Sequence, residues 1–201
     1  MKILLSAFVL LFSVHSVAKE KVVYGEDNRK DVFESANALY KTLSQATAAM
    51  IPNGALSKNE DGSFRVSGGT LEDDGVCSDA RFAKQTVAAN CSGFLVGDQY
   101  LVTAGHCIES MTSCSNYSWV FGFSNESAEK SEYNVTDKDI YTCTQIVSRT
   151  LDRATLNDYA LVKLDRKVIG RTPLKFRKSG TIADKAGIVV IGHPSGLPVK
   201  I

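Results

Sequence analysis

His106 and Asp158 are the two residues whose types and surroundings could do chemistry together. An imidazole titrates near neutral pH and can take a proton from a nucleophile. A carboxylate behind it holds the required tautomer and stabilises the imidazolium that forms. His106 ends the run Leu-Val-Thr-Ala-Gly-His (101–106), a hydrophobic strand leading into a turn of small residues that leaves room for a substrate. Asp158 lies 52 residues on, at the head of Asp-Tyr-Ala-Leu-Val-Lys-Leu, whose alternation is that of a strand with one buried side carrying Ala160, Val162 and Leu164. Taken singly, each residue has an ordinary reading: a surface or core histidine, and an aspartate that closes a turn. Asp152 and Asp165 are weaker candidates for the carboxylate, because neither opens an apolar strand.

The elements that must position such a pair are short strands. After Val76 the chain breaks into apolar runs at 85–89, 91–96, 99–103, 119–123, 144–147, 159–164 and 187–192, separated by turn residues. Gly97-Asp98 reads as a two-residue hairpin turn in which glycine supplies a positive φ. Many short strands and few helices imply an all-β barrel or sandwich. Ahead of them, Phe33, Ala36, Tyr40, Leu43 and Ala46 recur at helical spacing and suggest one amphipathic helix over 31–50, although the period is imperfect and its central residues could equally be loop-and-strand surface. Residues 51–69, rich in Pro, Asn, Gly, Ser and charge, read as a loop.

The bulk properties narrow the function classes. An apolar content of 44% over 201 residues is enough for a full core. A net charge of +1 gives no reason to expect nucleic acid as a partner. Residues 1–18 combine Lys2, an apolar stretch at 3–14 and the small-x-small Ser16-Val17-Ala18, the pattern of a cleaved secretory signal. The apolar stretch is too short for a membrane span, which needs about 20 residues. The expectation is a secreted protein, extracellular or periplasmic, monomeric, and free of the membrane once the signal is removed. In such a protein the five cysteines, at 77, 91, 107, 114 and 143, are disulfide candidates, and an odd one is left over. A zinc site from His106, Cys107 and His193 is the poorer reading, since adjacent His-Cys ligands rarely converge on one tetrahedral centre. No metal or cofactor is expected. Four Asn-x-Ser/Thr sequons, at Asn90, Asn116, Asn125 and Asn134, fit exposed loops.

Three segments together resemble one family: Cys91-Ser-Gly-Phe-Leu-Val-Gly, Thr103-Ala-Gly-His-Cys107 and Asn157-Asp-Tyr-Ala-Leu-Val-Lys-Leu164. They are similar to the histidine and aspartate segments of chymotrypsin-like serine endopeptidases, over about residues 70–201. The resemblance implies an all-β, chymotrypsin-like double β-barrel, its first barrel complete and its second only partly present. It makes His106 the general base and Asp158 its orienting carboxylate, with protein or peptide substrates and an acyl-enzyme formed on a serine. Cys107 closing on Cys91 would tie the histidine turn to the neighbouring strand. The partners of Cys77, Cys114 and Cys143 stay open, a Cys114–Cys143 bridge being one option.

The nucleophile segment of the family, Gly-Asp-Ser-Gly-Gly or its variants, has no counterpart here. Ser92-Gly93 lies inside a strand, and Ser179-Gly180 sits in a basic loop. Ser195-Gly196 follows Pro194, which lacks the N–H that an oxyanion loop needs. Residues 187–201 resemble instead a Gly-Tyr-Pro-Gly-x-x-Pro strand early in the second barrel of bacterial glutamyl endopeptidases, which the serine loop follows. His193 is then a loop residue with no catalytic role. The implied organisation is a signal peptide at 1–18, an extension or propeptide-like segment at 19–69 with a possible processing point at Lys21–Val22, and a peptidase domain at 70–201 that is C-terminally incomplete. The complete protein is expected to be active and this chain alone inactive. The alternative is a non-catalytic homologue that acts as a binding protein.

Overall fold

A computed structural model describes residues 26–128 and 132–201. The signal peptide read at 1–18 and the Lys21–Val22 junction lie outside the described residues. The first strands are β1 (Thr47–Pro52), β2 (Leu56–Lys58), β3 (Phe64–Val66), β4 (Gly69–Thr70) and β5 (Thr86–Val87). They are followed by β6 (Cys91–Gly97), β7 (Tyr100–Thr103), β8 (Tyr117–Phe121), β9 (Tyr133–Val135), β10 (Ile140–Asp152) and β11 (Asn157–Leu164). Among the described residues, α-helix is confined to α1 (Ala38–Ser44) and α2 (Met111–Asn116).

Six strands close into a barrel in the order β1-β6-β7-β11-β10-β8, with antiparallel neighbours throughout. Closure leaves the barrel without an edge strand. Its interior is filled by Ala48, Met50, Leu95, Leu101, Trp119 and Val162 among others. Gly93 has to be glycine for lack of space: a Cβ there would stand 2.3 Å from Leu101 Cδ2 and 2.7 Å from Trp119. A second core covers the outside of the barrel, where Ala49, Ile51 and Val120 meet Val66, Tyr133 and Val135 under the sheet β2-β3-β9. The expected all-β architecture is therefore present, with its first barrel closed.

Several local expectations are corrected. The single helix over 31–50 does not form: α1, capped by the Asn37 side chain on the N–H groups of Leu39 and Tyr40, stops at Ser44, and the chain becomes β1. Residues 47–51 are buried on both faces, so the strand lacks the alternation that would have marked it. β1, which lies before residue 70, takes its place in the barrel between β6 and β8. The hairpin turn falls one residue later than expected, at Asp98-Gln99, and Gly97, which ends β6 opposite Tyr100, does not adopt a positive φ. The run 187–192 makes no strand beyond an isolated bridge from Gly192 to Lys200, and Ile188 and Val190 are exposed. Of the four sequons, Asn125 is buried and accepts a hydrogen bond from the Tyr133 hydroxyl, whereas Asn90, Asn116 and Asn134 are exposed.

The first and last described segments meet. Lys30 and Ile201 exchange backbone hydrogen bonds of 2.8 and 2.9 Å. Beside them the buried Lys200 ammonium donates to Asp31 Oδ1 (2.7 Å), Gln85 Oε1 (2.8 Å) and the Pro198 carbonyl (2.9 Å), using all three of its hydrogens. Burial pushes the Lys200 ammonium below its ordinary range, while the Asp31 carboxylate pulls the other way.

Candidate active site

Strand register brings the two expected residues together. β11 pairs antiparallel with β7, with Ala160 opposite Thr103. Two residues further along each strand, Asp158 therefore comes beside Gly105, at the start of the histidine turn. The carboxylate then grips His106 twice: Oδ2 lies 2.6 Å from Nδ1, and Oδ1 accepts the His106 backbone N–H at 2.9 Å. An ionised carboxylate only accepts hydrogen bonds, so Nδ1 carries a proton, and in the neutral ring it is Nε2 that holds the free lone pair. The hydrogen bond from the His106 ring, followed by that from its backbone N–H, holds the Asp158 carboxyl below the usual carboxylate range. The His106 side chain remains 59% exposed, so an incoming group can reach it.

The turn that carries His106 is packed tightly against the β10–β11 hairpin. A Cβ on Gly105 would lie 2.1 Å from the Thr150 carbonyl oxygen and 3.0 Å from that of Tyr159. Arg149 Nε donates to the Gly105 carbonyl at 2.8 Å. On the other flank, Cys107 is bonded to Cys91 at the start of β6. Thr103 Oγ1 adds a hydrogen bond of 2.8 Å to the Ser92 carbonyl. Sequence reasoning missed Arg149 and the spatial demand on Gly105; these contacts cross more than forty residues of chain, and no local pattern signals them.

A cavity of about 640 Å³ adjoins Asp158, lined by Ala104 and Tyr159 beside it and by Val190, Gly192 and His193. His193 is buried and stacked on Phe123, and its Nδ1 lies 3.0 Å from the Leu197 carbonyl. Burial lowers its pKa to about 4, so it is a neutral ring that holds its own turn. The rival carboxylates have turn duties: Asp152 accepts the Ala154 N–H at the hairpin tip, and Asp165 accepts that of Thr142.

Among the described residues no serine hydroxyl is hydrogen-bonded to His106. Ser92 Oγ accepts the His193 backbone N–H at 2.8 Å, and Ser195 is an exposed residue at φ 52° in a short 3-10 turn. The donor atoms of Cys91, His106 and Cys107 lie within 4.8 Å of one another, but the two sulfurs are bonded to each other and offer no thiolate. Cys114 pairs with Cys143, and Cys77 is free and exposed.

A comparison with curated proteins finds no match. Among protein families, the model described as Trypsin matches residues 77–197, more than half of the chain. That span takes in both the His106 turn and the strand headed by Asp158, and the chain belongs to the trypsin family, the chymotrypsin-like serine proteases.

Proposed function

We propose that His106 and Asp158 are the general base and the orienting carboxylate of a serine endopeptidase whose nucleophile lies outside these 201 residues. The observation that carries this reading is the double grip of Asp158 on His106, at 2.6 Å to the ring and 2.9 Å to the backbone. It leaves Nε2 as the exposed acceptor. In the reaction, Nε2 takes the proton of the serine hydroxyl as the oxygen attacks the peptide carbonyl, and the imidazolium formed is stabilised by Asp158. The same proton then passes to the leaving amine, and water hydrolyses the acyl-enzyme by the reverse sequence. Peptide and protein substrates follow from the family.

The finer assignments rest on residues as well. Two disulfides and the signal-like pattern at 1–18 support a secreted protein. The sequence Gly-His-Pro-Ser-Gly-Leu-Pro at 192–198 supports kinship with the bacterial glutamyl endopeptidases, with a nucleophile loop that follows in the polypeptide.

The test uses an active-site fluorophosphonate. This chain is expected to remain unlabelled, and a polypeptide extended through a Gly-x-Ser-Gly segment to label and cleave peptides. In the extended protein His106→Ala lowers kcat by about 10⁴-fold or more, the scale set by other triad enzymes. Labelling of the 201-residue chain, or full activity in the His106→Ala protein, overturns the proposal.

A further inference from the structure

We propose that Arg149 is a positioning residue for the general base, holding the peptide unit through which His106 joins the turn; the inference rests on the reading of His106 and Asp158 above. The Gly105–His106 peptide group is gripped at both ends. Its carbonyl oxygen accepts from Arg149 Nε at 2.8 Å, and its N–H donates to Asp158 Oδ1 at 2.9 Å. A peptide unit is planar, so two opposed hydrogen bonds fix its rotation about the chain. With it they fix the direction in which the His106 side chain leaves the backbone. Gly105 on its own restrains that rotation least of all residue types.

The placement of Arg149 suits this task. It sits on β10 opposite Ala160, and its successor Thr150 has its carbonyl against Gly105. The guanidinium therefore acts from a rigid ladder rather than from a loop. Among the described residues no carboxylate forms a salt bridge with Arg149, and the Gly105 carbonyl is its acceptor. Asp158 fixes the imidazole from the front, and Arg149 fixes the backbone behind it. The short Nδ1–H···Oδ2 contact requires both, because a small rotation of the peptide unit would swing the ring away from the carboxylate.

The experiment is proton NMR of the full chain, cooled and labelled with ¹⁵N histidine. A proton held between Nδ1 and an ionised carboxylate is strongly deshielded and resonates far downfield. Its assignment is made by loss of the signal in Asp158→Asn. Two variants isolate the donor. In Arg149→Met a methyl carbon takes the place of Nε, and in Arg149→Gln the amide nitrogen lies the same number of bonds from the backbone and still donates. Both lose the cation. The expected result is a signal kept in Arg149→Gln and broadened in Arg149→Met by an about fivefold faster exchange of the Nδ1 proton, the loss of one neutral hydrogen bond. An Arg149→Met signal equal to wild type, or equal broadening in both variants, overturns the role of Arg149 alone. An Arg149→Met protein that unfolds while Arg149→Gln folds makes the contact purely structural and also overturns it. A wild-type chain without the downfield signal overturns the His106–Asp158 pairing, and both readings fall with it.

Discussion

Gly105 and His106 show how little room the candidate site has at the level of single residues. The demand on Gly105 is spatial, since its φ is not positive. The atoms that a Cβ would strike are the carbonyls of Thr150 and Tyr159, which belong to paired strands and cannot swing aside as a side-chain tip could. Gly105→Ala must therefore push the histidine turn away from the hairpin. The expected destabilisation is about 1–3 kcal/mol, the usual range for an overpacked site. It should be read from the urea midpoint, and the Asp158 grip on His106 should loosen with it. An alanine variant as stable as wild type would show that the turn has slack. Asp158, by contrast, is set by bonding: both of its oxygens are committed to His106, one to the ring and one to the main chain.

At the scale of elements, the site is a strand end and a turn held by three neighbours. β7 delivers His106, β11 delivers Asp158, and β6 anchors the turn through the Cys91–Cys107 bridge. That bridge closes a loop of 16 residues, worth roughly 3 kcal/mol by restriction of the unfolded chain. Another part of the cavity lining is held differently. Its segment, 192–200, is anchored by the Lys200 ammonium in the midst of Asp31, Gln85 and the Pro198 carbonyl. Lys200→Met removes the cation and leaves the Asp31 carboxylate buried with the Gln85 amide for company. Breaking a buried pair in this way destabilises by about 3–5 kcal/mol. Asp31→Asn combined with Lys200→Met should recover part of that loss in a denaturation series. Equal losses in the single and double variants would mean that the ion pair contributes nothing beyond packing.

For the molecule as a whole, a pH dependence of stability is built in at His193. Its pKa is about 4 in the folded protein because burial disfavours the charged ring, and near 6.5 in the unfolded chain. Between those values the unfolded state binds the extra proton. Stability is therefore complete above about pH 6.5 and falls as the pH drops toward 4, by about 3 kcal/mol in all. His193→Leu should flatten this dependence, measured as urea midpoints between pH 7 and pH 4.5; an unchanged slope would place the titrating group elsewhere. The Asp158 carboxyl, lowered by His106, acts in a separate window, its contribution being lost only as the pH falls below the usual carboxylate value. What could be read without coordinates was whatever the chain writes locally. The strand headed by Asp158 buries one side and so alternates, β6 and β7 are bounded by turn residues, and Thr-Ala-Gly-His-Cys is a contiguous signature. β1 was hidden because burial on both faces removes alternation, leaving an accidental helical spacing. The short apolar runs thus gave the all-β class, and the resemblance of residues 103–107 and 157–164 to one family singled out His106 and Asp158. Only the tertiary structure decided that β1 completes the barrel, that Arg149 reaches the Gly105 carbonyl and that Lys200 meets Asp31. Those contacts join residues 41 to 169 positions apart, and the close fit that makes them is a property of the packed barrel rather than of any stretch of sequence.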